Sequence, residues 1–114
     1  MTIQEIANIL NAKVICGKDF VHKSIERGFA SDLMSDVLTL DTNKLVLITG
    51  LCNLQTIRTS EMADIDCIVF VRGKTVTPEM KLLAFELDMV LLECSSSMFR
   101  TISKLHEAGL NPVY

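Results

Sequence analysis

The residues best able to do chemistry fall in three short polar stretches, each directly after an aliphatic run. They are Thr49, Gly50, Cys52 and Asn53; Arg72, Gly73 and Lys74; and Cys94, Ser95, Ser96 and Ser97. Hydroxyls, turn glycines and two cations gathered at one place suit a phosphate or a carboxylate, because helix starts offer free N–H groups and arginine offers a planar fork of donors. The same residues have a plainer use, since Asn, Thr and Ser cap helices and Gly turns the chain. Capping alone accounts for most of them; Arg72 beside Gly73 is the pair that capping does not require. Arg58, within NLQTIRTSEM, is a further candidate to face a ligand or partner, set against a simple i,i+3 pairing with Glu61.

Catalytic and metal patterns are thin. The least implausible nucleophile is Cys52, which follows one apolar run and precedes a helix start that would lower a thiol pKa. His22 stands in a polar stretch and His106 near a helix C-terminus, and neither completes a Ser-His-Asp or Cys-His set. No G-x-G-x-x-G or G-x-x-x-x-G-K-[ST] run is present. Asp32, Asp36 and Asp41 lack the alternate spacing and central glycine of a calcium loop, so Ser31-Asp32 and Ser35-Asp36 read as caps and turns. Cys16, Cys52, Cys67 and Cys94 are too far apart for a Cys-x-x-Cys clip and read as thiols, with Cys67 and Cys94 as small core residues. The expectation is a non-enzyme with no catalytic residue, no metal and no cofactor.

Positioning those stretches requires elements ending at one edge. From residue 44 the chain reads as three strand-then-helix units: Leu45 to Thr49 then Asn53 to Ala63, Cys67 to Val71 then Pro78 to Leu87, and Met89 to Glu93 then Ser97 to Ala108. Alternation of this kind implies parallel strands joined by helical crossovers, with ligands beyond the strand C-termini. The strands LVLI, CIVFV and MVLL do not alternate with polar residues, as expected when both faces of the sheet are covered. Upstream, Thr2 and Glu5 form a capping-box pattern over Ile3, Ile6, Ile9 and Leu10, a helix that should end near Asn11 before a Val14–Cys16 strand. A strand from Ser24 to Ala30 and a short helix or turn over Ser31 to Leu38 follow. Asn53, Thr77-Pro78 and the serine run cap the later helices, and Gly109 closes the last one.

With 114 residues and no Pro/Gly/Ser linker or repeat, the whole chain, 1–114, reads as one α/β domain with a mostly parallel sheet covered by helices on both faces. An apolar fraction of 49% and a mean hydropathy of +0.36 exceed the ordinary globular mixture, and the surplus points to a covered partner subunit, most simply a homodimer. A net charge of −3, scattered cations, one Tyr and no Trp argue against nucleic acid. No apolar run approaches the ~20 residues of a membrane span, and no basic-then-apolar start marks a leader. The expected location is the cytoplasm, with no membrane contact.

The run LVLITGLCNLQTIRTSEMADIDCIVFVRGKTVTPEMKLLAFELDMVLLECSSSMFRTISKL, from Leu45 to Leu105, resembles the DRTGG domain family, and the opening IQEIANILNAKVICG suits that family's start. Where the family tends to carry Thr-Gly-Gly this chain has Val71, Arg72 and Gly73, and after Thr49-Gly50 it has Leu51, Cys52 and Asn53 in place of an Asp-Arg element. The resemblance implies a fold similar to the N-terminal domain of HPr kinase and a non-catalytic role in regulation or assembly, with dimer contacts near a nucleotide-sensing unit. Three functions are therefore carried forward. The first is a regulatory or assembly module with a homodimeric or other protein partner. The second is a small-molecule binder holding an anionic nucleotide or phosphometabolite at Thr49, Gly50, Asn53, Arg72, Gly73 and Ser95 to Ser97. The third is a thiol enzyme at Cys52.

Overall fold

The computed structural model describes residues 1–114. The helix α1 (Ile3–Leu10) begins with the complete capping box, in which the Glu5 N–H donates to Thr2 Oγ1 and the Thr2 N–H donates to Glu5 Oε1, both at 3.1 Å. It is followed by β1 (Lys13–Cys16), a single 3-10 turn over Lys18–Phe20, β2 (Arg27–Ala30) and the one-turn α2 (Met34–Val37). The strand-then-helix units are β3 (Leu45–Thr49) with α3 (Leu54–Met62), β4 (Cys67–Phe70) with α4 (Pro78–Glu86), and β5 (Val90–Glu93) with α5 (Met98–Glu107). A two-residue strand, β6 (Asn111–Pro112), ends the order.

The six strands form one sheet in the order β1-β5-β4-β3-β2-β6. The contacts β2–β3, β3–β4, β4–β5 and β2–β6 are parallel, and only β1 runs antiparallel, along the outer edge of β5. The three apolar runs thus lie side by side in one direction, as the strand-helix alternation requires. Although they look uniform, their side chains divide with period two. Val46, Ile48, Val69, Val71, Val90 and Leu92 face a core closed by α1 and α5. Leu45, Leu47, Ile68, Phe70 and Leu91 face the opposite core, closed by Met34 and Val37 of α2, Ile57 of α3 and Met80 and Ala84 of α4. Every residue of β3 and β4 is buried.

Three expectations need adjustment. The strand foreseen from Ser24 is shorter, because Ser24 is spent on an isolated antiparallel bridge to Thr2 and the ladder with β3 begins at Arg27. The antiparallel direction of β1 was not foreseen: α1 and β1 are joined by a tight left-handed turn at Asn11, which sends the chain back along β5. Strand β6 was missed, since a proline-bearing pair has no strand signature and survives here only because it sits at the sheet edge, where the missing N–H faces no partner.

The turn after β1 is tightly packed on the sheet. Gly17 has φ +87°, and a Cβ placed there would lie 2.6 Å from the Met89 carbonyl oxygen and 2.8 Å from Val90 Cγ2. Gly17→Ala is therefore expected to lower stability by about 1–3 kcal/mol from backbone conformation alone, with a further loss from the backbone clash. Urea unfolding monitored by circular dichroism measures it; an unchanged midpoint would contradict the packing described.

Candidate functional site

Because β2, β3, β4 and β5 are parallel, the turns that follow them emerge at one rim. Asp32 follows β2, and its carboxylate ties the neighbouring turns together. Oδ1 accepts the Gly50 N–H at 2.7 Å and the Thr49 hydroxyl at 2.9 Å, while Oδ2 lies 3.4 Å from Arg72 Nη2. Thr49 is fully buried and its Oγ1 also accepts the Leu51 N–H at 3.1 Å, so the hydroxyl is used in both directions. Arg72 comes from the turn after β4, where it and Gly73 both take positive φ, 64° and 69°. That turn is pinned to the segment after β5, since the Arg72 N–H donates to the Ser96 carbonyl at 2.8 Å and the Gly73 N–H to the Cys94 carbonyl at 3.0 Å.

The arginine lies over Gly50, and a methyl group at that position would run into its guanidinium. The glycine leaves room for this close approach, and a larger residue there would push the flexible end of Arg72 aside. Partial burial alone pushes the Asp32 carboxyl up, but the Gly50 N–H, the Thr49 hydroxyl and the Arg72 cation together outweigh it and hold the group below the usual carboxylate range. The Arg72 side chain stays 44% exposed and the Asp32 side chain 47%. Of five guanidinium donors, the hydrogen bond to Asp32 uses one arm and leaves an exposed cationic face at the rim.

The other residues singled out from sequence divide clearly. Asn53 Oδ1 accepts the Thr56 N–H and Ser97 Oγ accepts the Arg100 N–H, each at 3.1 Å, so these two are the N-caps of α3 and α5. Ser96 enters through its backbone carbonyl. Ser95 is exposed and shares a depression of about 210 Å³ with Gly73, Lys74, Lys13 and Glu93. Arg58 sits on the exposed side of α3; it belongs neither to the Asp32 cluster nor to an ion pair with Glu61, because the ion pairs present are Lys23–Asp66, Glu26–Lys44 and Asp32–Arg72. Asp32 was passed over as an ordinary turn residue, yet it is the group that brings Thr49, Gly50 and Arg72 together. Lys13 and Glu93 were also not singled out; Glu93 Oε2 accepts the Val76 N–H at 2.7 Å and so fixes the loop leading into α4.

The expectation of an activated thiol is reversed. Cys52 Sγ donates to the Thr75 carbonyl at 3.4 Å. Burial pushes its pKa up, the Glu93 carboxylate adds to the rise, and Lys74 only partly offsets it. A separate apolar cavity of about 270 Å³ lies at the sheet edge, walled by Phe29, Ile48, Ile102, Leu105, Leu110 and Tyr114, and includes none of the rim cluster. No three His, Cys, Asp or Glu side chains are grouped to hold a metal ion. No helix is long and apolar enough to cross a membrane.

No protein-family model matches the chain, and no curated protein matches it. Among solved structures, the CBS and DRTGG domains of the regulatory region of Clostridium perfringens pyrophosphatase, complexed with the activator diadenosine tetraphosphate, are similar, with a TM-score of 0.72 at 12% identity. The match covers 91% of this chain and 45% of that one, so the chain spans less than half the length of its structural relative. The likeness establishes the fold, which is DRTGG-like.

Two outcomes follow from the geometry. Because the Asp32 pKa is lowered on folding, its contribution is present above the unfolded carboxylate pKa of roughly 3.9 and is lost as pH falls through the folded value. Asp32→Asn should therefore destabilise at pH 7, by no more than about 1 kcal/mol for so exposed a pair, and the gap to wild type should narrow in urea melts as pH falls below the unfolded carboxylate value. A gap that persists in acid would refute the assignment. Cys52, for its part, should react with a disulfide reagent at pH 7 no faster than free cysteine; an accelerated thiol would restore the enzymatic reading.

Proposed function

We propose that this DRTGG-like domain, residues 1–114, is a non-catalytic regulatory and assembly module that works as a homodimer in the cytoplasm and senses an anionic small ligand, a nucleotide or phosphometabolite, at the strand C-terminal rim. The observation that carries the reading is the Arg72 turn. A non-glycine residue in the left-handed region is uncommon and costs backbone energy, and here that conformation, with two backbone hydrogen bonds behind it, holds a half-exposed guanidinium above Gly50. The single hydrogen bond to Asp32 leaves most of the guanidinium donors free.

The ligand side of the proposal rests on chemistry near that cation. The N-termini of α3 and α5 open at the same rim as Arg72, and their dipoles favour negative charge. Gly50, Thr49, Gly73 and the Ser95 to Ser97 segment supply the surroundings, with Lys74 close by. Arg58 and Asn53 are peripheral to this reading, one by its place on α3 and the other by its use as a cap. The regulatory region of the pyrophosphatase that shares the fold is complexed with a nucleotide activator, which supports a sensing role of the same kind. The non-catalytic half is supported by a Cys52 thiol whose pKa is raised. Four free thiols suit a reducing compartment.

Thermal melts across a panel of nucleotides and phosphorylated metabolites test the site. A rim ligand present at 100 times its Kd should stabilise the wild type by about 2.7 kcal/mol, and Arg72→Ala should remove that gain, its unliganded stability falling by no more than the about 1 kcal/mol of the exposed Asp32 pair. If the stabilisation survives in Arg72→Ala, or no anionic compound stabilises the wild type, the rim is not the sensing site.

A further inference from the structure

Helix α4 is apolar on more sides than one core can cover. Met80 and Ala84 face the sheet and are buried, yet Leu82 and Phe85 on the opposite side are 62% and 72% exposed. A helix with apolar stripes on two opposite sides has surface for two packing partners, and only one is present. Successive helical residues advance by about 100°, which places Pro78, Leu82 and Phe85 in one outward stripe. Lys81 then flanks the stripe on one side, and Glu79 and Glu86 flank it on the other. Beside the Lys81 flank lies a groove of about 560 Å³ walled by Ile15, Lys18, Pro78, Lys81, Leu82 and Phe85. None of Lys18, Lys81, Glu79 and Glu86 takes part in an ion pair within the chain.

We propose that this stripe is the surface on which a second copy of the chain docks, with the two α4 helices packed side by side and pointing the same way about a two-fold axis parallel to them. The charges select that arrangement. A two-fold axis along the stripe exchanges its flanks, so Lys81 of each copy meets Glu79 of the other, two positions away along the helix, and the contact is made twice. An axis perpendicular to the helices keeps like flanks together and sets Lys81 against Lys81, which is repulsive. The outward stripe supplies apolar contact, and the groove receives the other copy's Leu82 and Phe85. Since α4 is only about 14 Å long, the helix pair forms a compact interface, below the ~800 Å² per subunit of a standard one, and the dimer exchanges with monomer as concentration changes.

The inference rests on the pairing half of the functional reading and gives it a surface; it is independent of Arg72. Sedimentation velocity of the whole chain over a concentration series tests it. The expected results are a concentration-dependent dimer in the wild type, a dimer Kd raised at least about tenfold by Leu82→Glu, a rise of several-fold with Lys81→Glu, and recovery to near the wild-type value when Lys81→Glu is combined with Glu79→Lys. Circular dichroism confirms that each variant is folded, which these exposed positions permit. A wild-type dimer unaffected by Leu82→Glu overturns the α4 surface while leaving the assembly reading intact. Loss with Leu82→Glu but no recovery in the charge exchange overturns the parallel two-fold arrangement. A wild type that stays monomeric throughout overturns the surface and homodimer assembly together, whatever the rim binds.

Discussion

The whole structure depends on one constraint, the need to cover both faces of three adjacent strands that carry no polar side chain until their ends. Leu47, Ile68, Phe70 and Leu91 on one side and Val46, Ile48, Val69 and Leu92 on the other must all leave water, and burying side chains of this size stabilises by roughly 1.5–3 kcal/mol each. A hairpin connection would leave one face open; helical crossovers close both. Parallel strands follow, and with them the gathering of every strand-to-helix turn at one rim. The candidate site is thus a geometric consequence of how the core is closed.

What the rim needed beyond that was a group to draw the turns together, and Asp32 fills the role. Its two oxygens reach the buried end of β3, through Thr49 and Gly50, and the exposed turn after β4, through Arg72. The Arg72 turn is in turn held to the carbonyls of Cys94 and Ser96 after β5. Four consecutive members of the sheet are joined at their C-terminal ends by hydrogen bonds outside the ladder. A carboxylate in this position is compatible with half-exposure because the partners that stabilise its charged form come from backbone and hydroxyl as well as from the arginine.

Much of this was legible from residue types. Capping patterns located α1, α3, α4 and α5 to within a residue or two, since side-chain oxygens at Thr2, Asn53, Thr77 and Ser97 are local devices that act within three positions. The central strands were readable from their unbroken apolar runs. What escaped was non-local. Asp32 pairs with residues 17 to 40 positions away, and nothing in Ser31-Asp32 announces that partnership beyond its place directly after a strand. The direction of β1 and the existence of β6 depend on which edge is available to them, a property of the finished sheet. For Cys52, helix-start logic pointed to activation, whereas its burial, the larger cause of the raised pKa, and the Glu93 carboxylate of β5, which adds to it, are set only by the finished fold.

The position of Asp32 also bears on how a sensing rim would work. The carboxylate already occupies part of the arginine's donor set and stands half-exposed beside it, so an incoming anion would meet a like charge next to the cation. It would bind either on the donors Asp32 leaves free, with the pair intact, or by taking Arg72 from Asp32 altogether. The second course unties β4 from the turn after β2, because the Asp32 contacts to Gly50 and Thr49 remain while the link to Arg72 is lost. A ligand bound that way would remove the Arg72 link between the turn after β4 and the segment leading into α2, whose Met34 lies two residues beyond Asp32 in the core shared with α3 and α4. An anion bound without displacing Asp32 has no such lever on the core. In the proposed sensing role, the internal carboxylate would therefore separate anion binding that leaves the Arg72 pair intact from binding that releases the turn after β4.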